Sequence, residues 1–122
     1  MSLNIIEDHA LLRIGIHTCD YMNVTRSPGA EEAAADLLRV LANPHRVAIV
    51  MALQSDEQCV HELVEALSLP QPLVSQHLRI LKAQRVVTGR RRGREIAYSL
   101  LDLHVGHIVA DAVEHAKERN TP

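Results

Sequence analysis

The chain has 122 residues, a net charge of −2 and 47% hydrophobic residues, which predicts one domain with a modest core. Trp and Phe are absent, so that core must be aliphatic. Two Cys residues argue against a disulfide scaffold and fit a reducing cytoplasm, and no apolar run reaches the length of a membrane span. We therefore expect neither a disulfide-rich secreted protein nor a membrane protein. The eight His residues suggest that the protein binds metal.

The first part of the chain divides into an arm and a helical segment. Residues 1–30 are expected to form an N-terminal arm or short helix followed by a linker that contains Pro28-Gly29. Acidic residues and apolar residues at helical spacing predict a helix from Glu31 to Ala42. Asn43-Pro44 breaks this pattern and begins the next helix. The helices predicted before position 70 span 31–42, 44–53 and 60–67.

The stretch 70–83 reads as an amphipathic helix with Pro in its first turn. Leu73, Leu78 and Leu81 recur at helical spacing, and polar residues occupy much of the other side. Such side chains suit hydrogen bonding to base edges and phosphates in a DNA major groove, although an ordinary solvated helix face is the alternative. The predicted DNA contacts on this helix are Gln71, Ser75, Gln76, Arg79 and, towards phosphate, His77.

A basic hairpin follows this helix. Residues 86–88 and 96–99 are short β-branched or aromatic runs, and a basic turn bracketed by glycines separates them. Seven of the thirteen Lys and Arg residues lie between positions 79 and 94, and no acidic residue occurs from 71 to 94. A helix joined to a basic hairpin predicts a winged helix-turn-helix, with Arg90, Arg91, Arg92 and Arg94 as the wing contacts to DNA.

Three motifs together resemble the ArsR/SmtB family of metal-responsive repressors. They are Leu41-Ala42-Asn43-Pro44-His45-Arg46, Cys59-Val60-His61-Glu62-Leu63 and Val74-Ser75-Gln76-His77-Leu78, followed by the wing. The resemblance covers about residues 31–118, the predicted winged helix-turn-helix domain. It implies a mainly α homodimer with a β-hairpin wing, which binds double-stranded operator DNA and releases it when metal binds.

The last helix, predicted over 102–118 with Asp102 as N-cap, carries the pattern D-x-H…H-x-x-E. These residues are Asp102, His104, His115 and Glu118, and the pattern resembles the zinc site of the family's C-terminal helix. The two His residues lie about 16 Å apart along one helix, too far to share one metal ion. They can meet if the helix pairs antiparallel with its copy in a dimer. Zn²⁺, or less selectively Co²⁺, suits these ligands, and exposed surface residues are the alternative.

A second possible metal site involves Cys59 and Glu62, to which the arm would bring His17 and Cys19. A thiolate is a strong ligand for Zn²⁺ or Cd²⁺. The family's Cys-x-Cys signature is absent, however, because position 61 is His. The alternative interpretation of Cys59 is a small buried hydrophobic residue at a helix start.

Two other functions compete with metal-responsive repression. One is a redox-sensing repressor that uses Cys19 and Cys59 on the same scaffold. The other is an enzyme, which we do not expect because no nucleophile–base arrangement and no phosphate loop accompany the His and carboxylate residues. The expected partners are operator DNA and a second copy of the chain, without a membrane, in the cytoplasm.

Overall fold

The computed structural model describes residues 26–120, which contain five helices and three strands. The helices are Pro28–Leu41 (α1), Pro44–Ala52 (α2), Val60–Leu67 (α3), Gln71–Ala83 (α4) and Leu103–Arg119 (α5), and the strands are Gln58–Cys59 (β1), Val87–Arg92 (β2) and Glu95–Leu100 (β3). The chain divides after Ala33 into two compact units, and the description below concerns the second. None of the helices within 26–120 has the length and apolarity needed to cross a membrane.

The helix ends follow local capping chemistry. The Asn43 side chain accepts hydrogen bonds from the backbone N–H groups of His45 (2.9 Å) and Arg46 (3.2 Å), which starts α2 after the predicted break. Helix α3 begins and ends as predicted, and Ser68 closes it in the left-handed conformation, with φ of 55°. Helix α1 begins at Pro28, before the predicted start at 31, because Pro suits the first turn of a helix.

Helix α4 follows α3 across a short turn, so the two form the predicted helix-turn-helix. The end of α4 is a Schellman motif, in which the N–H of Val86 donates to the Leu81 carbonyl (2.9 Å) and the N–H of Arg85 donates to the Lys82 carbonyl (3.0 Å). Arg85 has φ of 62°, a left-handed conformation that Gly adopts far more readily than other residues. This motif joins the helix directly to the wing.

The three strands form an antiparallel sheet in the order β1-β3-β2. Strand β1 was not predicted, because two residues are too short for a sequence pattern to reveal. The basic turn was placed wrongly: Arg90, Arg91 and Arg92 lie within β2, and the hairpin turns at Gly93-Arg94. Gly93 is the first residue of this two-residue turn and has φ of 66°. The common two-residue hairpin turns require a positive φ at this position.

The core is aliphatic, as the composition predicted. Its fully buried side chains come from α2, α3, α4 and the start of the wing, and include Ile49, Val50, Leu63, Val74, Leu78, Leu81 and Val86. Helix α5 buries one stripe through Val105 and Val109, while Leu103 and Ile108 on the same helix remain exposed. The winged helix-turn-helix thus has a complete small core, and α5 retains an apolar surface outside it.

Candidate DNA interface and metal half-sites

The outer face of α4 presents most of the residues predicted to contact DNA. Gln71, Gln76 and Arg79 are exposed and Ser75 is half-buried. Residues 71, 75 and 79 follow one another at intervals of four, so they form a strip along the helix. Exposed Lys82 extends the strip by one turn, and the sequence had shown it only as part of the basic block. The strip combines amide and hydroxyl groups with two cations, which suits a DNA groove.

His77 does not belong to this strip, and the prediction that it touches phosphate is wrong. Its side chain is only 7% exposed, and its ring centroid lies 5.6 Å from that of His45 on α2. Its Nδ1 has no hydrogen-bond partner in the described structure. Burial lowers the pKa of His77, and the positive charges of Arg46 and His45 lower it further. The imidazole is therefore a neutral core group between two helices.

Two of the four predicted wing arginines are engaged within the protein. Arg90 forms a two-pronged contact with Glu57, in which its Nε lies 3.0 Å from Oε2. One terminal nitrogen of Arg92 lies 3.0 Å from the Glu62 Oε1 and 2.9 Å from the Cys59 Sγ. The bond from Arg90 is the largest cause of the lowered pKa of Glu57. These contacts join the wing to Glu57, just before β1, and to Glu62 on α3, across 33 and 30 residues of sequence.

A third contact ties the opposite strand of the wing to α3. His61 Nδ1 lies 2.8 Å from the Glu95 Oε1, with both side chains largely exposed. Arg91 and Arg94, by contrast, are exposed and form no ion pair within residues 26–120. The four arginines that the sequence grouped together thus divide into two paired and two unpaired side chains.

The last-helix ligand candidates form two separate pairs. Asp102 is the N-cap of α5, as predicted, and its Oδ1 accepts a hydrogen bond of 2.9 Å from the N–H of His104. The His104 Nδ1 lies 3.6 Å from the same oxygen, and the His104 side chain is 89% exposed. His115 and Glu118 are exposed one turn apart near the other end of α5. No three His, Cys, Asp or Glu side chains in the described part of the chain cluster closely enough to hold a metal.

The structure describes half of the second predicted metal site, because His17 and Cys19 lie outside the described residues. Cys59 is fully buried, and burial raises the pKa of its thiol. Glu62 accepts a hydrogen bond of 2.7 Å from the Cys59 N–H and so caps α3. The Arg92 guanidinium contacts both the Cys59 and the Glu62 side chains, so this half of the site already holds a cation. This arrangement favours the interpretation of Cys59 as a buried hydrophobic residue.

An apolar groove runs between the α1–α2 corner and α5. Its lining comes from Leu38, Leu41, Ala42, Val47, Ile108, Val109 and Ala112. Leu38 is 53% exposed and Ile108 is 41% exposed, so this face leaves large apolar side chains in contact with water. Such a contiguous apolar surface is typical of an interaction face.

Comparison with known proteins identifies the family. Residues 43–88 match the bacterial regulatory proteins of the arsR family. The HTH-type transcriptional repressor SmtB of Mycobacterium tuberculosis is 63% identical over 87 residues, 71% of this chain and 64% of that protein. The chain thus spans less than two thirds of the length of SmtB. The HTH-type transcriptional regulator NmtR of the same species is 36% identical over 104 residues, 83% of this chain and 87% of that protein.

A solved structure agrees with these matches at the level of the fold. The winged helix-turn-helix DNA-binding domain of Mb0332 from Mycobacterium bovis, described as homodimeric, has a TM-score of 0.67 at 24% identity and covers 80% of this chain and 92% of that domain. The predicted fold class is therefore confirmed. The relatives named above are transcriptional regulators, which agrees with the expectation that the chain is not an enzyme. The chain belongs to the ArsR family of bacterial regulatory proteins.

Proposed function

We propose that the protein is a zinc-responsive transcriptional repressor that binds operator DNA as a homodimer and releases it when the metal binds. One observation carries the proposal: the chain exposes a polar strip on α4 and wing arginines, and it also presents two His–carboxylate pairs on α5. The first feature suits a DNA groove and the second suits a divalent metal ion. We expect the protein to act in the cytoplasm, where the DNA is.

The dimer is proposed to form through α5 and the apolar groove beside it. Leu38 and Ile108 are exposed on this face, and a second copy of α5 would remove them from water. An antiparallel arrangement brings the N-terminal half of one α5 next to the C-terminal half of the other. The description of the Mycobacterium bovis domain as homodimeric supports the proposal.

In this dimer each metal site takes Asp102 and His104 from one protomer and His115 and Glu118 from its partner. Two atoms bound to one zinc ion, each about 2 Å away, can be at most about 4 Å apart. The 3.6 Å between Asp102 Oδ1 and His104 Nδ1 meets this condition without rearrangement. Bound zinc would link the two α5 helices at each site. Co²⁺ is accepted by the same donors, whereas Cd²⁺ would favour the less suitable Cys59 site.

The coupling from metal to DNA is proposed to run along the backbone beside Asp102. The N–H of Leu101 donates to the Val86 carbonyl (3.0 Å), and the N–H of Val86 donates to the carbonyl of Leu81 on α4 (2.9 Å). A second tie comes from Gln54, whose Nε2 donates to the Gly106 carbonyl at 2.7 Å and joins α5 to the end of α2. Movement of the start of α5 would therefore move α4, and with it the spacing of the two recognition helices.

Complementation between two single variants tests this arrangement. We expect His104→Ala and His115→Ala each to bind operator normally but to lose zinc-driven release. Mixed heterodimers should regain release at one site, because the intact pair of each variant then faces the intact pair of the other. The control is His107→Ala, an exposed His on the same helix that should respond like wild type. Wild-type zinc release in both single variants would contradict the proposed site.

The redox alternative finds less support in the structure. A thiolate is the form that reacts with oxidants, and Cys59 is fully buried with its thiol pKa raised by burial. Mass spectrometry after peroxide treatment distinguishes the two functions. We expect Cys59 to stay reduced while zinc still releases DNA, whereas a disulfide between Cys19 and Cys59 would support the redox function.

A further inference from the structure

The four wing arginines lie in two different electrostatic settings, and strand geometry explains the difference. Side chains alternate along a strand, so Arg90 and Arg92 share one face of β2 while Arg91 points to the other. Arg94 lies in the turn. The side chains of Cys59 and Glu62 lie on the face of Arg90 and Arg92, because Arg92 contacts both of them there.

The small side chain of Ala97 on β3 allows the Arg90 and Arg92 side chains to extend across β3 to their acidic partners. Ala97 pairs with Arg90 on one side and with Cys59 on the other, so it separates them in the middle of the sheet. Ala97 is only 1% exposed, which indicates that neighbouring side chains cover it. A longer side chain at this position would stand between the two arginines and their acidic partners. The sheet is thus shaped to let the guanidinium groups reach Glu57 and Glu62.

We infer that Arg91 and Arg94 are the wing arginines that contact DNA phosphate, whereas Arg90 and Arg92 are positioning residues that hold the wing against α3 and the residue before β1. This inference rests on the proposed DNA binding and specifies which side chains of the wing perform it. Helix α3 packs against the recognition helix, so the ion pairs set the position of the wing relative to α4. The basic tip, formed by Arg91, Gly93 and Arg94, would then lie along the DNA backbone.

The charge balance supports this division. Phosphate binding gains its affinity from released counterions, and only a positive charge that is not already neutralised releases them. Arg90 uses both prongs of its guanidinium on Glu57, so moving it to phosphate would leave that carboxylate beside DNA with only the longer, 3.9 Å contact from Arg92. Arg91 and Arg94 have no acidic partner within residues 26–120 and carry their full charge outwards.

The salt dependence of DNA binding separates the two roles. The probe is the duplex that the wild-type protein enriches from a random-sequence pool, and the measurement is the slope of log affinity against log salt concentration. Arg91→Ala and Arg94→Ala should each reduce this slope by about 0.9 for every protomer that contacts DNA, because each removes one phosphate contact. Arg90→Ala and Arg92→Ala should leave the slope at its wild-type value while lowering the melting temperature.

A charge swap keeps the test valid if Arg90→Ala fails to fold. Arg90→Glu combined with Glu57→Arg preserves the pair, so it should restore the melting temperature with a wild-type slope. A reduction of the slope in this double variant or in Arg92→Ala, equal to that in Arg91→Ala, would overturn the inference. Absence of DNA binding by the wild-type protein would instead overturn the proposed function, so the two failures are distinguishable.

Discussion

The winged helix-turn-helix and helix α5 carry the same kinds of titratable side chain but use them in opposite ways. In the first region, His77 is buried, and Glu57 and Glu62 are bonded to arginines of the wing. On α5, His104 and His115 are exposed and lie next to carboxylates that no cation of the wing engages. Charge in the first region holds the structure together, whereas charge on α5 remains available to an external ligand. Residue type therefore says less about function than the pairing that the fold imposes.

The burial of His77 provides the largest expected effect of this difference. Its pKa is lowered in the folded protein, so its contribution to stability is fully present above the ordinary value of 6.5 and is lost as pH falls below it. One such proton changes the free energy of unfolding by at most about 1.4 kcal/mol per pH unit. We expect His77→Leu to flatten the profile of stability between pH 7 and 5, measured by urea unfolding.

A matched control on α5 sharpens this comparison. His107→Gln replaces an exposed imidazole, so its pH profile should keep the wild-type slope. An unchanged slope in His77→Leu would show that the buried imidazole does not govern acid sensitivity.

The strained end of α4, which links the two regions, provides a smaller effect. Arg85 has φ of 62°, where a side chain costs energy and Gly does not. Arg85→Gly should therefore stabilise the protein by up to about 1 kcal/mol, less the entropy that Gly adds to the unfolded chain. Thermal unfolding measures this, with Arg85→Ala as the control that removes the charge but keeps the strain. Equal melting temperatures for the Gly and Ala variants would contradict the strain.

The ion pairs of Arg90 and Arg92 with Glu57 and Glu62 provide the smallest effect, because solvent still reaches these side chains and screens their charges. The pKa of Glu57 and that of Glu62 are lowered, so their stabilisation is present above the ordinary value of 4.5 and is lost as pH falls through the folded values. Glu57→Gln should lower the melting temperature slightly at pH 7. The melting temperature of this variant should also fall less than that of the wild type as the solution is made acidic. A wild-type acid decline in Glu57→Gln would show that the pair contributes no pH-dependent stability.

Much of the fold was predictable because its signals are local. Helix α3 was predicted with its observed ends, the helix break at Asn43-Pro44 was predicted, and Asp102 was predicted as the N-cap of α5. The aliphatic core followed from composition. The arrangement of the ligand candidates in two separate pairs also followed from spacing, since a helix rises about 1.5 Å per residue. Their proposed union in a dimer remains a prediction.

Other features depended on contacts that no local pattern contains. The inward direction of His77 depends on how α4 packs against α2, although residues 74, 77, 78 and 81 do form a helical stripe that could have indicated it. The position of the hairpin turn depends on the register of the two strands, in which Arg92 pairs with Glu95 and leaves Gly93-Arg94 as the turn. Gly89 lies inside β2, where the Cγ2 of Ile96 would lie 2.7 Å from a Cβ at that position.

The sequence by itself determined the helices, the aliphatic core, the basic character of the wing and the spacing of the ligand candidates on α5. These properties depend on neighbours within about one helical turn or on composition, so they can be read without knowing the fold. Only the tertiary structure decided that Arg90 and Arg92 are paired while Arg91 and Arg94 are not. The reason is physical: the partners of the paired arginines lie 33 and 30 residues away, and only the antiparallel sheet brings them within hydrogen-bond distance.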